Sequence, residues 1–416
     1  MSADITDVTG GAGGIEAVHD AIRALAATFD DAGSALRGWS TLGARTMADP
    51  ALLASAPLSP LTFAEAEATV LAATTGPDGL LVESCAWEAD AVLVRAALTA
   101  LEVADAAAQA HLDQVDRTLA RTPLVALAVV PGMPDVVVEN LLNGLQPGLT
   151  AGLLAAAYGG AGTAAVTRIG RQPSAQPADL EGLVTHLQGV AALSPEAGSP
   201  LNGTIEIQTI DGGDGPRHIV YLPGTDDMAT LPWTQDGDVR DLPTDFQLMA
   251  GREDPYQQGI LDAMAQAGVA AHEPVLLVGH SMGGMAAAAI LGRGSEFDVT
   301  HVVTAGSPTA QVPSFPDGSH VLSLEHQGDV VPLTDGAPNP DTVEQVTVRF
   351  EAESGPGIVD RHAYAPYVEG AAAADASTDP SVREQLESLH ADGFLAGPGR
   401  APATVTSQVF QVVRAP

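Results

Sequence analysis

The chain has 416 residues, 45% of them hydrophobic, and carries 52 acidic against 17 cationic side chains for a formal net charge of −35. The cations are all arginine. The length allows two domains or more, each with its own core. The charge would repel phosphate backbones and anionic lipid surfaces, which argues against a nucleic-acid partner and leaves membrane contact a minor option. The one cysteine, Cys85, cannot close an internal disulfide, and no CxxC or Cys/His cluster suggests zinc. Within its helical pattern Cys85 reads as a buried thiol.

The N-terminal MSADITDVTGGAGG has neither a basic nor an apolar leader region. The expectation is a cytoplasmic protein, or one exported without a cleavable signal peptide. Residues 1–167 read as an all-helical domain. Ile15, Val18, Ile22, Leu25, Phe29 and Leu36 recur at helical spacing. Thr62 fits the cap of a helix from Phe63, with Glu65 completing a capping-box pattern and Glu67 following. Asp78 fits the cap of a long helix through Trp87, Val92 and Leu101. Another helix is expected after Pro134. Residues 140–167 are uncharged and long enough to span a bilayer, but Asn143, Gln146, Pro147 and several glycines interrupt them. A buried helical hairpin is expected there, with an interfacial or membrane segment as the alternative.

Residues 168–200 are rich in Pro, Ser, Gly and Ala and read as a linker holding one amphipathic helix over Leu180–Leu193. From residue 201 to 416 strands and helices alternate. Strands are expected at Thr204–Ile210, Ile219–Leu222, Val275–Val278, Val299–Thr304, His320–Leu324, Val343–Phe350 and Val405–Val413. Helices are expected at Tyr256–Ala267, Met282–Leu291, Ala363–Ala374 and Ser381–His390. The fold class is therefore α/β, a mostly parallel sheet flanked by helices, preceded by the helical domain.

The chemistry concentrates in PVLLVGHSMGGMAAAAIL, where an apolar strand runs into Gly279-His280-Ser281-Met282-Gly283 and then into an alanine-rich helix. A serine on so tight a turn needs neighbours two residues away without side chains, and Gly279, Gly283 and Gly284 meet that need. Ser281 is then a candidate nucleophile. The amide of Met282, at the helix start, is a candidate oxyanion donor.

A serine hydroxyl needs a base, and the base needs a carboxylate to orient it. Asp329, just after the strand at 320–324, is the first choice for the acid, with Asp335 and Glu325 as rivals. His362 is the first choice for the base, with His390 as rival. His320 and His326 stand in the wrong chain order, and His280 reads as packing beside the nucleophile. The second oxyanion donor is expected from Ile219-Val-Tyr-Leu-Pro-Gly-Thr225, through the amide of Thr225. Its hydroxyl is a further possible donor. No phosphate loop or GxGxxG is present and His272-Glu273 is not a metal motif, so no cofactor and no metal is expected.

Four pieces taken together resemble the α/β-hydrolase superfamily, and within it the class 3 lipase and related esterase branch. They are PGT at 223–225, GHSMGG at 279–284, VVTAGSP at 302–308, and GDVVP at 328–332 followed by His362. The resemblance implies a Ser281–Asp329–His362 triad with Thr225 and Met282 at the oxyanion hole. The N-terminal half, around Arg37-Gly38-Trp39-Ser40, distantly resembles the helical hairpins of WXG100-type proteins. The expected function is hydrolysis of a small-molecule or lipid carboxylic ester through an acyl-serine. The alternatives are a secretion- or partner-linked scaffold with a weakly active hydrolase domain, and acyl transfer or thioester cleavage with the same triad.

Overall fold

The computed structural model describes residues 3–95, 98–99, 155–156, 158, 162–172, 174–194, 199–213, 215–228, 230, 234–310, 312, 314–335, 338–355, 358–397 and 403–415. The helix expected after Pro134 lies outside them, as does most of the uncharged stretch from 140. The chain divides into two compact units, Met1–Glu16 with His111–Pro416, and Ala17–Ala110.

The smaller unit is helical. It takes in most of α1 (Ile15–Met47), then α2 (Pro50–Ser55), α3 (Pro60–Thr75) and α4 (residues 80–95). On α1 the inward positions are 22, 26, 29, 33, 36, 40 and 43, a three-four alternation that keeps one seam facing a partner helix. Small residues line it. A Cβ on Gly33 would stand 2.8 Å from Glu88 Cγ and 3.1 Å from the Ser84 carbonyl, so α1 and α4 approach closely there. Phe29 packs edge-on against Trp87, with ring centroids 5.4 Å apart. Three local expectations change. Helix α3 starts at Pro60 with Ser59 at its cap, because proline suits a first helical turn. The first carbonyl of α4 to accept a helical bond is that of Gly79, not Asp78. Cys85 is exposed, because Ser84 and Ala91 take the inward face of α4.

The larger unit is built on one nine-stranded sheet in the order β1-β8-β7-β6-β5-β4-β3-β9-β2. The strands are β1 (Asp4–Gly10), β2 (Thr163–Gln172), β3 (Thr204–Asp211), β4 (Pro216–Leu222), β5 (Pro274–His280), β6 (Asp298–Ala305), β7 (His320–His326), β8 (Gln345–Glu351) and β9 (Thr404–Ala415). Strands β4 to β8 run parallel; β1, β3, β9 and β2 pair antiparallel at the two sides. The parallel strands are buried on both faces, which is why β5 reads as a continuous apolar run over Val275–Val278. On one face Ile207, Val220, Val275, Leu277 and Val302 meet α7 (Pro255–Ala267) and α8 (Met282–Arg293). On the other, Ile219, Tyr221, Leu276, Val278 and Val303 meet α5 (Leu180–Ala191), α10 (Tyr364–Asp375) and α11 (Pro380–Ala391). Two shorter helices, α6 (Leu242–Met249) and α9 (Ile358–Arg361), stand near the carboxyl ends of the parallel strands. This is an α/β-hydrolase-type sheet with a helical region toward the N-terminus.

The expected domain boundaries differ from this division. Residues 4–10 and 163–172, read as parts of an all-helical domain and its linker, are the edge-side strands β1 and β2. Each carries a register shift, at Ile5/Asp7 and Arg168/Gly170, which breaks the alternation that would mark a strand. The helix in the expected linker buries Leu180, Leu183, Val184, Leu187 and Val190 and so belongs to the core. Among the described residues no helix is long and apolar enough to cross a membrane.

Candidate functional site

Strand β5 sits inside the sheet with parallel neighbours on both sides, and its carboxyl end turns straight into α8. Ser281 occupies that turn at φ 53° and ψ −122°, the one positive φ outside glycine among the described residues. Such a backbone is strained and persists only where its surroundings enforce it. The Ser281 amide donates to the Ala305 carbonyl at 2.9 Å. A Cβ on Gly283 would run into the Leu222 carbonyl, one on Gly279 into the Gly283 backbone, and one on Gly284 into Ser307. The glycine spacing in the sequence therefore reflects contact on both sides of the turn.

His362 follows α9, and its ring is held from behind. Its Nδ1–H donates to Asp329 Oδ2 at 2.6 Å, which leaves Nε2 as the free nitrogen. Asp329 follows β7 by a short turn. Burial alone would push its carboxyl up, but the hydrogen bond and charge of His362, the Tyr367 hydroxyl and the Val331 amide outweigh that and hold it below the ordinary aspartate value. His280 donates from Nε2 to the His362 carbonyl at 2.9 Å and stacks near the rings of His362 and Tyr364, at 4.6 and 4.1 Å. Burial, helped by the charge of His362, lowers His280 to about 3, so it stays neutral as a packing and positioning group.

The loop Pro223-Gly224-Thr225 lies against the elbow; a Cβ on Gly224 would be 2.9 Å from the Ser281 Cβ. It is pinned from several sides. Tyr256 donates to the Pro223 carbonyl at 3.4 Å, the Gly224 amide donates to the Tyr364 hydroxyl at 3.2 Å, and Arg240 Nη1 donates to the Gly224 carbonyl at 3.2 Å. Arg240 is fully buried and also bonds Asp226 and Ser194. The Thr225 hydroxyl donates to Asp245 on α6, at 2.8 and 3.0 Å. Among the described residues neither the Thr225 nor the Met282 amide donates to a protein acceptor. Met282 is the first residue of α8, so its amide carries the positive end of the helix dipole.

Ser281, His362 and Thr225 line one cavity of about 500 Å³. Its other walls are largely apolar, with Met228, Leu242, Phe246, Met249, Met285 and Val331 among them, and among the described residues no arginine lines it. Asp245 lines it too. Burial pushes that carboxyl up to about 8, the Thr225 hydroxyl pulls it back, and Asp241 and Asp254 add to the rise.

The structure thus joins Asp329 to His362, sets His362 and Ser281 on one cavity, and brings the Thr225 loop against Ser281. The rivals Glu325 and His390 do not join that pair. Glu325 is tied to Asn339 and Arg349, and His390 lies in α11 near its C-terminus. The sequence reading did not find Asp245, Arg240, Tyr364 or Tyr367. The two tyrosines carry a weak signal, since they follow His362 at helical spacing in Tyr364-Ala-Pro-Tyr367. Asp245 and Arg240 carry none. Among the described residues no group of three His, Cys, Asp or Glu side chains is placed to hold a metal ion.

Comparison with known families places residues 257–347 on the PGAP1-like alpha/beta domain, an α/β-hydrolase-type family. No curated protein and no solved structure matches the chain. The matched segment runs from α7 into the start of β8. It includes Ser281 and Asp329 and stops short of His362. Sheet order and match together give the larger unit a hydrolase-type α/β fold.

Proposed function

We propose that the chain is a serine esterase, lipase-like in its site, that cleaves apolar carboxylic esters through an acyl-serine intermediate. The observation that carries this reading is the 2.6 Å bond from His362 Nδ1 to Asp329 at the wall of the cavity that Ser281 also lines. In the first half-reaction His362 Nε2 takes the Ser281 proton as Oγ attacks the ester carbonyl, and the alcohol leaves with that proton. In the second, His362 activates water against the acyl-serine. Asp329 fixes the imidazole tautomer and steadies the imidazolium. The Thr225 and Met282 amides are the donors assigned to the oxyanion.

The cavity volume suits a ligand of modest size, and its walls suit a hydrocarbon chain. Small-molecule or lipid esters without charge near the carbonyl are therefore the substrates expected. The test is a panel of p-nitrophenyl esters of increasing acyl length against wild type, Ser281→Ala, Asp329→Asn and His362→Ala. Hydrolysis should favour chains longer than acetyl, and each variant should lose roughly 10²-fold or more in kcat. Full activity in both Asp329→Asn and His362→Ala would refute the assignment.

A further inference from the structure

Asp329 Oδ2 accepts two hydrogen bonds of equal length, 2.6 Å from His362 Nδ1 and 2.6 Å from the Tyr367 hydroxyl. Oδ1 accepts the Val331 amide at 3.0 Å. We propose that Tyr367 is a positioning residue of this site, its hydroxyl sharing Asp329 Oδ2 with His362 and so setting how strongly the carboxylate pulls on the imidazole. The inference rests on the reading of His362 as the base.

The surroundings are shaped for this hydroxyl. Tyr367 is fully buried on α10, where a phenol needs a partner. Its oxygen accepts the His326 amide at 3.4 Å and donates to Asp329. Its ring is gripped separately, edge-on to Phe350 at 5.6 Å and to His280 at 5.7 Å. Gly306 makes the room: at φ 65° it carries no Cβ, and one placed there would stand 2.7 Å from the Tyr367 hydroxyl and 3.1 Å from His362 Cε1. A glycine next to the post-elbow strand thus clears space for both partners of Asp329. Phenylalanine would keep the ring packing and delete the hydroxyl's two hydrogen bonds, the short one to Asp329 and the longer one from the His326 amide.

A phenol donating to Oδ2 withdraws charge from it. Without that bond, the carboxylate stabilises the His362 imidazolium more strongly and the base is harder to deprotonate. The other titratable groups facing this cluster are His280 from β5, His326 and Glu325 from β7, Arg361 from α9 and Tyr364 from α10. His280 is held neutral by burial. His326 contacts the Arg361 and Ala352 carbonyls through its two ring nitrogens, Glu325 bonds Asn339 and Arg349, and Arg361 bonds the Gly328 carbonyl. None of these bonds is altered by Tyr367→Phe.

The experiment is kcat/KM against pH from 5 to 9 for wild type and Tyr367→Phe on a short p-nitrophenyl ester, with the fold of each checked by near-ultraviolet dichroism. In Tyr367→Phe the acid limb should move up by roughly half to one pH unit, a fraction of one hydrogen bond to a charged group passed on to the imidazole, with KM unchanged. The proton resonance of His362 Nδ1–H, identified by its loss in His362→Ala, should also move downfield. A superposable acid limb with an unmoved resonance would overturn the inference. Hydrolysis that persists in Ser281→Ala would count against the proposed function instead, and the resonance would still decide the role of Tyr367.

Discussion

Replacing Arg240 with methionine should destabilise the larger unit by about 3–5 kcal/mol, the cost of stranding one member of a buried ion pair. Arg240 is 1% exposed, and its guanidinium bonds Asp226, Ser194 and the Gly224 carbonyl. Methionine fills much of the space but leaves the Asp226 carboxylate without its cation. The neighbouring Asp238, whose carboxyl is pushed up to about 7 by burial and by Asp226, supplies no cation in place of Arg240. For a unit of this size the loss corresponds to a fall in Tm of roughly 10 °C. Urea melts followed by circular dichroism measure it. The double variant Arg240→Met with Asp226→Asn should recover more than half, because the buried charge is gone. A single variant within about 1 kcal/mol of wild type, or a double no better than the single, would refute the reasoning. Hydrolysis should fall as well, since Arg240 helps hold the loop that carries Thr225.

Ser281→Gly should be more stable than Ser281→Ala by about 1–2 kcal/mol, because glycine accepts the φ of 53° at that turn; equal melts would show the turn is not strained. The folded Asp245 carboxyl, at about 8, holds its proton where the unfolded one has lost it, so its contribution is present below pH 4 and disappears as pH rises toward 8. Stability of wild type should therefore fall more steeply than that of Asp245→Asn between pH 5 and 8, by up to about 1.4 kcal/mol per pH unit, and parallel curves would contradict this.

The parallel core of the sheet was legible because a strand buried on both faces must be largely apolar, as Val275–Val278 is throughout and Val302–Val303 is within its own strand. The elbow was legible because close backbone contact demands glycine at fixed offsets. Edge-side strands were not. In β1 and β2 a register shift moves the apolar residues out of phase, so neither two-fold nor helical periodicity survives. The polar/apolar alternation in β3 is the pattern of a half-buried strand, yet Glu206 and Gln208 are fully buried. His186 from α5 and Ser407 from β9 bond Glu206 Oε1, and Gln208 Nε2 donates to Ser174 and the Ala175 carbonyl. Polar partners supplied from distant segments leave no local trace. The same holds for the site. Ser281, Asp329 and His362 could be ordered along the chain, whereas Asp245 and Arg240 reach the Gly224-Thr225 loop from 20 and 16 residues away in sequence and belong to no motif themselves.

The central claim is that Ser281 is a nucleophile activated by His362. A fluorophosphonate probe, read by intact mass on folded protein, tests it most directly. The account predicts one covalent adduct on wild type at Ser281, none on Ser281→Ala, and much slower labelling of His362→Ala. Wild type left unlabelled, or Ser281→Ala labelled equally, would contradict it.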